Sequence, residues 1–224
     1  MARYLVTGAN RGLGLEFCKQ LCARGEQVVA AVRSRGADGE LEALGARVVG
    51  LDVADPSSIE GVARELGGEP LDCLINNAGV NARAKRLEDL DAEELREVFA
   101  INALGPVLVA RAVLPSLRAG RQKKIVNITS DMASIAHNTG GSSYAYRGSK
   151  AALNMLTTCV ANQLRGEGFT CIALDPGWVK TDMGGSGAPL TAKESISRML
   201  KLMDGLGPGQ TGSYLDLEGR RVPW

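Results

Sequence analysis

The run Tyr146-Arg147-Gly148-Ser149-Lys150 places a phenol and an ammonium four positions apart. On a helix that spacing brings both side chains to one face. A phenol titrates ordinarily near ~10, and a neighbouring ammonium lowers that value by favouring the phenolate. Such a pair can exchange a proton with a carbonyl or alcohol oxygen, the phenol donating in one direction and accepting in the other. Sixteen residues before Tyr146, just past a β-branched run, stands Thr129-Ser130. A hydroxyl there can hydrogen-bond the same oxygen as charge develops on it, with Thr129 and Ser134 as rivals to Ser130. Alone, each residue is ordinary, since serine is a common turn residue after a strand. Order along the chain carries the reading.

Nearer the start, Thr7-Gly8-Ala9-Asn10-Arg11-Gly12-Leu13-Gly14 separates an apolar run from an apolar helical stretch reaching about residue 23. Backbone without Cβ can reverse tightly and lets a pyrophosphate approach the amides at a helix N-terminus. The spacing is G-x-x-x-G-x-G, and a plain tight turn has the same letters. Its place between strand and helix points instead to a dinucleotide, held by Gly8, Asn10, Arg11, Gly12, Leu13 and Gly14. A free ribose 2′-hydroxyl is usually met by a carboxylate at the tip of the second strand, whereas a 2′-phosphate needs cations. Here the tip reads Ala31-Val32-Arg33-Ser34. Arg33 offers a planar fork and Arg11 a second cation, so NADP(H) is expected over NAD. The competing reading leaves both arginines as plain surface residues. Asp52 and Val53, ending the third strand, are placed beside the adenine.

These groups need a frame that gathers loop ends. Strands are predicted at 4–7, 28–32, 48–52, 73–76, 124–128 and 170–174, alternating with longer amphipathic stretches. That alternation predicts an α/β fold, a Rossmann-like doubly wound parallel sheet of about seven strands with helices on both faces, as one domain over 1–224. Helix starts are marked by Asp55-Pro56 and by capping-box spacing in Asp91-x-x-Glu94 and Thr191-x-x-Glu194. Loops are expected at 184–189 and 204–212. Pro106 falls within a long apolar helical stretch at 95–117, where its missing N–H frees the carbonyl of Asn102. That carbonyl either holds a water linking Lys150 to solvent or marks a kink made only for packing.

Composition narrows the partners. Lys plus Arg number 26 against 25 for Asp plus Glu, a net charge of +1, which gives no long-range pull toward nucleic acid or an anionic membrane. The five cysteines form no C-x-x-C pair and His137 is the one histidine, so no metal site is expected and the thiols suit a reducing compartment. With no signal core and no apolar run of membrane-spanning length, a cytoplasmic location is predicted. The partner is expected to be a small molecule. Helices 95–117 and 146–164 carry more apolar residues than one buried stripe requires, which points to a homodimer or homotetramer.

Taken together the motifs resemble the short-chain dehydrogenase/reductase family over essentially the whole chain. The matches are Thr7 to Gly14, Asn76-Asn77-Ala78-Gly79, Asn102, Ser130, Tyr146-x-x-x-Lys150 and Pro176-Gly177-Trp178-Val179-x-Thr181. The resemblance implies that Asn102 joins Ser130, Tyr146 and Lys150 in a catalytic tetrad. It further implies that Asn77, Ala78 and Gly79 border the cofactor, with Pro176, Gly177, Val179 and Thr181 near the nicotinamide and Tyr146 and Lys150 also touching it. The segments around Asn138, Asp175 to Gly185 and Val222-Pro223-Trp224 are similar to the C-factor and sniffer-type carbonyl reductase branch. The implied activity is hydride transfer between NADP(H) and a carbonyl or alcohol. A dinucleotide-binding signalling or sensor protein of C-factor type, with incidental turnover, is the alternative. A sugar-nucleotide epimerase or dehydratase is weaker, because no residues remain for a separate substrate domain. The short region after Thr181 implies an open pocket tolerant of varied carbonyls.

Overall fold

Each of the six predicted runs forms a strand in the computed structural model, which describes residues 1–36 and 39–224. In chain order the elements are β1 (Arg3–Thr7), α1 (Gly12–Ala23), β2 (Gln27–Val32), α2 (Gly39–Ala43), β3 (Arg47–Gly50), α3 (Pro56–Leu66) and β4 (Cys73–Asn76). They continue with α4 (Ala92–Phe99), α5 (Gly105–Ala112), α6 (Leu114–Ala119), β5 (Lys124–Ile128), α7 (Tyr144–Leu164), β6 (Thr170–Leu174), α8 (Ala192–Asp204) and β7 (Tyr214–Leu215). The strands make one parallel sheet in the order β3-β2-β1-β4-β5-β6-β7. This is the doubly wound arrangement expected from the sequence.

Alternation along the strands feeds two cores. Tyr4 and Val6 pack with Phe17, Leu21 and Met199 on the α1 and α8 side. Leu5 packs with Ile59, Val109 and Leu117 on the α3, α5 and α6 side. Because both faces are covered, the strands read as nearly continuous apolar runs. The chain turns outward from β1 through β2 to β3, then restarts at β4 on the other side of β1. That switch leaves the carboxyl ends of β1 and β4 flanking a crevice, where open α/β sheets bind ligands.

Helix starts follow their side chains. Asp55 accepts from the Ser57 amide at 2.9 Å ahead of Pro56, and Thr191 and Glu194 form a reciprocal capping box. At Asp91 only half of the box forms. Its carboxylate caps the Glu94 amide at 2.8 Å, but Glu94 turns to the amides of Arg83 and Ala84 at 2.7 and 3.1 Å.

Two expectations are corrected. The third strand ends at Gly50 rather than Asp52, because the Asp52 amide donates to Ser58 Oγ and its carboxylate accepts from the Ala54 amide, each at 2.9 Å. Local side-chain bonds there replace the ladder. The stretch 95–117 is not one helix: a π-helical turn over Ala100–Leu104 separates α4 from α5, and Val113 breaks α5 from α6. Pro106 just after the π turn and Pro115 in the first turn of α6 each lack the donor a continuous helix would need. A seventh strand of two residues, β7, completes the sheet of about seven strands expected from the sequence. Among the described residues no helix is long and apolar enough to cross a membrane.

Candidate active site

The β1–α1 turn is shaped by what its glycines lack. Gly8 and Gly12 have φ of +64° and +53°, in the left-handed region that glycine enters without penalty. Gly14 is tighter: a Cβ there would stand 2.1 Å from the Gly8 carbonyl oxygen and 2.6 Å from Asn77 Nδ2. Behind the turn, Thr7 Oγ1 accepts from the amides of Asn77 and Ala78, each at 3.0 Å. Asn77 Nδ2 donates to the carbonyls of Thr7 and Gly8 at 2.9 and 3.2 Å. The Asn77 side chain is therefore committed to bracing the glycine turn, and Thr7, given no role above beyond opening the motif, is the residue that ties β1 to the β4 loop.

Around this turn the remaining cofactor candidates stand at carboxyl ends of strands. Asn10 and Arg11 are exposed and Leu13 packs its side chain against the core. Arg33, at the tip of β2, is exposed and has no partner among the described residues. Asp52 and Val53 follow β3, and Val53 is buried against Gly105. Beyond β6, Gly177 adopts φ +72°, and a Cβ there would lie 2.9 Å from Leu190. Pro176 accepts from the buried Ser195 hydroxyl at 2.7 Å, and Val179 pairs with Leu190. The two loops meet across the crevice, since a Cβ on Gly12 would lie 3.6 Å from Thr181 and Arg11 reaches Asp182 at 3.3 Å. Both members of that ion pair are largely exposed, so it contributes little to stability.

On the far side of β4 the proposed catalytic residues gather. Tyr146 and Lys150 share one face near the start of α7, and the Tyr146 phenol lies close enough to the Ser130 hydroxyl for that group to lower its pKa. Ser130 follows β5, where its Oγ accepts from the Met132 amide at 3.2 Å and donates to Asp131 Oδ1 at 3.3 Å. The rivals are engaged elsewhere: Thr129 donates to Asn154 at 2.8 Å, and Ser134 donates to the Pro223 carbonyl at 2.6 Å. Lys150 is buried and donates from Nζ to the Ile128 carbonyl at 2.8 Å. Asn102 lies in the π turn and is fully buried. Its Oδ1 accepts from the Val80 amide at 2.8 Å, while Nδ2 donates to the Val80 carbonyl and to Ser149 Oγ at 2.9 and 3.1 Å. Gly79 separates Asn102 from Lys150, for a Cβ there would lie 3.3 Å from Asn102 Oδ1 and 3.5 Å from Lys150 Nζ.

A buried polar chain locks these elements together. Asn76 donates to the Pro106 carbonyl and to Asn127 at 3.1 and 2.8 Å. Asn127 in turn donates to Thr157 at 2.8 Å, and Thr157 to the Leu153 carbonyl at 2.7 Å. The start of α5, β4, β5 and α7 are thus joined by side chains that would each be costly to bury unpaired. An asparagine inside the β-branched run at 124–128 was the sequence sign of this chain, because such a residue disfavours strands unless its amide is used.

Electrostatics depart from expectation at the phenol. Tyr146 is held above its ordinary value rather than below it. Burial is the main cause; the Ser130 hydrogen bond opposes it, and Asp175 and Asp131 add to it. Lys150 is itself pushed down to about 8 by burial. Asp175, the residue after β6 and an acceptor for the Gly177 amide at 3.1 Å, is pushed up to about 6, chiefly by burial. A carboxyl that binds its proton more tightly when folded contributes stability below its unfolded value and loses that contribution as pH rises through about 6. Asp175→Asn is therefore expected to raise stability at pH 7 by on the order of 1–3 kcal/mol relative to wild type, and by little near pH 4. Chemical denaturation at the two pH values checks this, and an equal effect at both would contradict it.

Residues 3–189 match the short chain dehydrogenase family. The chain belongs to that family. Over 155 residues it is 49% identical to the C-signal of Myxococcus xanthus, covering 69% of this chain and 93% of that protein. Its structure superposes on an NADPH-bound carbonyl reductase from chicken fatty liver with a TM-score of 0.92 at 38% identity, covering 100% of this chain and 99% of that one. The carbonyl reductase Sniffer of D. melanogaster gives a TM-score of 0.94 at 32% identity, with both chains covered completely. The short-chain dehydrogenase, placed on its motifs within the sniffer-like and C-factor-like branch, thus has relatives of both kinds.

Proposed function

We propose that this short-chain dehydrogenase is an NADP(H)-dependent carbonyl reductase acting on small carbonyl and alcohol substrates. The observation that carries the reading is the joining of Tyr146, Ser130 and Lys150 beside a glycine cradle that any Cβ at position 14 would fill. The cradle fits a pyrophosphate: the amides at the start of α1 face the crevice, and Gly14 leaves the backbone open. Gly8, Asn10, Gly12, Leu13 and Gly14 hold that pyrophosphate. Arg33 and Arg11 meet the 2′-phosphate, Asp52 and Val53 border the adenine, and Ala78, Gly79, Pro176, Gly177, Val179 and Thr181 enclose the nicotinamide end.

When bound, NADPH supplies hydride to the carbonyl carbon. Tyr146 Oη gives its proton to the carbonyl oxygen, and the product is an alcohol. The raised value of Tyr146 suits this direction, because the phenol stays protonated and ready to donate at neutral pH. Ser130 Oγ hydrogen-bonds the same oxygen as it gains charge. Lys150, anchored on the Ile128 carbonyl, supplies positive charge that lowers the cost of the phenolate left behind. The Asn102 main-chain carbonyl, four residues before Pro106, is the acceptor for a water that returns a proton toward Lys150. The Asn102 side chain fixes Val80 and Ser149 and so the wall beside that lysine.

Comparing NADPH with NADH by titration tests the cofactor assignment. NADPH is expected to bind more tightly, and Arg33→Ala to weaken NADPH by roughly 10-fold, in line with loss of one charge-assisted contact, while NADH is unchanged. Equal binding of the two nucleotides would remove the phosphate argument. The 49% identity to C-signal favours a second reading, a dinucleotide-binding signalling protein. Under it, NADPH binds and is not consumed across a broad panel of activated carbonyls. A homodimer or homotetramer remains part of the proposal on the apolar character of α5 and α7, with sedimentation as its test.

A further inference from the structure

The family match stops at residue 189, yet the backbone of Ser130 is held from beyond it. Tyr214 on β7 is 1% exposed. Its hydroxyl donates to the Ser130 carbonyl, which also accepts from the Ala133 amide at 3.0 Å. One residue earlier, the Thr129 amide donates to the Leu174 carbonyl at 2.9 Å. The turn that presents Ser130 to Tyr146 is therefore gripped from β6 through Thr129 and from β7 through a buried phenol.

A strap lies over this grip. Leu215 pairs with Arg221 and the Val222 amide donates to the Tyr214 carbonyl at 2.9 Å. Pro223 accepts from the Ser134 hydroxyl at 2.6 Å, and the Trp224 carbonyl accepts from the Ala136 amide at 3.0 Å. The Trp224 ring lies 5.4 Å from the Tyr214 ring, tilted by 31°. Residues 222–224 thus cover Tyr214 and are bonded to the same 130–136 segment that Tyr214 holds.

We propose that Tyr214, covered by residues 222–224, is a positioning residue that sets where Ser130 stands in the reducing site, a role that rests on Ser130 being the hydroxyl partner of Tyr146. Phenylalanine would fill the same buried volume and keep the stack with Trp224, so packing alone gives no reason for a hydroxyl here. Burial keeps the Tyr214 phenol well above its ordinary value, with Asp175 and Asp131 adding to the effect. It remains a donor throughout the pH range in which the enzyme would work. Displacing a reacting group by a fraction of an ångström costs rate, because turnover depends on geometry already in place.

A double-mutant cycle reads this role. Tyr214→Phe is expected to lower kcat about 10-fold while KM and the NADPH dissociation constant stay within roughly 2-fold. In a Ser130→Ala background the same substitution should change kcat no further, because the group it positions is gone. Wild-type kcat in Tyr214→Phe, or a full further loss on top of Ser130→Ala, overturns the proposal. Undiminished turnover in Ser130→Ala alone would instead remove the assignment of Ser130, and the positioning role with it. Should Tyr214→Phe fail to fold, Ser134→Ala supplies the second cycle by releasing the Pro223 anchor, together with the local bond from the His137 amide at 3.1 Å, while leaving Tyr214 intact. A smaller kcat loss that again vanishes without Ser130 supports the strap, and an unchanged kcat counts against it.

Discussion

Tyr146→Phe is expected to lower kcat/KM for NADPH-dependent carbonyl reduction by about 10²–10⁴-fold, the usual worth of a positioned general acid. The substitution removes one oxygen and leaves the ring in place on α7. Its hydroxyl lies beside that of Ser130, and Ser130 keeps its bond from the Met132 amide at 3.2 Å. The glycine cradle, Arg33 and the loop beyond β6 are untouched. NADPH should therefore bind as tightly to the variant as to wild type. Steady-state rates together with a nucleotide titration check both halves of the expectation. A variant that keeps its rate would show that another group supplies the proton, and one that loses NADPH as well would show that the phenol mainly orders the cofactor pocket.

The second large effect is expected at the other end of the crevice. Gly14→Ala places a methyl group 2.1 Å from the Gly8 carbonyl oxygen and 2.6 Å from Asn77 Nδ2. The first neighbour is main chain and cannot rotate away. The second is the brace that holds the turn through Thr7 and Gly8. Accommodating the methyl must open the turn or push α1 away from β1, and strain of this kind costs typically ~1–3 kcal/mol. Because the displaced backbone is the proposed pyrophosphate cradle, NADPH affinity should fall by at least about 100-fold, the equivalent of ~3 kcal/mol. Fluorescence titration of bound nucleotide measures it. Gly140→Ala is a matched control: nothing lies within 4 Å of its added methyl, and binding there should stay at the wild-type value.

Local pattern was enough where chemistry depends on neighbours in the chain. The glycine turn, the placing of Tyr146 and Lys150 one turn apart on the same helix, and the caps at Asp55 and Thr191 each involve residues only a few positions apart, and each is found in the structure. What depends on long-range packing was hidden. The sign of the Tyr146 shift follows from burial together with Asp175 and Asp131, and the proximity of Asp175 to the α7 phenol is not written in its sequence spacing. The apolar stretch at 95–117 hid the π turn, since most residues there suit a helix and Pro106 alone signals a break without its form, and the Asn102 side-chain bonds to Val80 and Ser149 join residues far apart in the chain. Strand β7 has two residues, too few for a period-2 signal. Tyr214 therefore had no sequence mark, although its hydroxyl reaches a residue 84 positions away. The early end of β3 was within reach, because the Asp52 to Ala54 turn and the Ser58 hydroxyl are local. Its apolar run outweighed them.

The central claim is that this chain moves hydride from NADPH to a carbonyl carbon while its own phenol provides the proton. The direct measurement uses NADPH carrying deuterium at both C4 positions, together with an activated small carbonyl substrate, and reads the label in the product. The expected product is an alcohol with one deuterium on the former carbonyl carbon, formed in step with nucleotide oxidation. Nucleotide that binds tightly and stays reduced across the carbonyl panel, or an alcohol whose new C–H bond carries only solvent hydrogen, would contradict it.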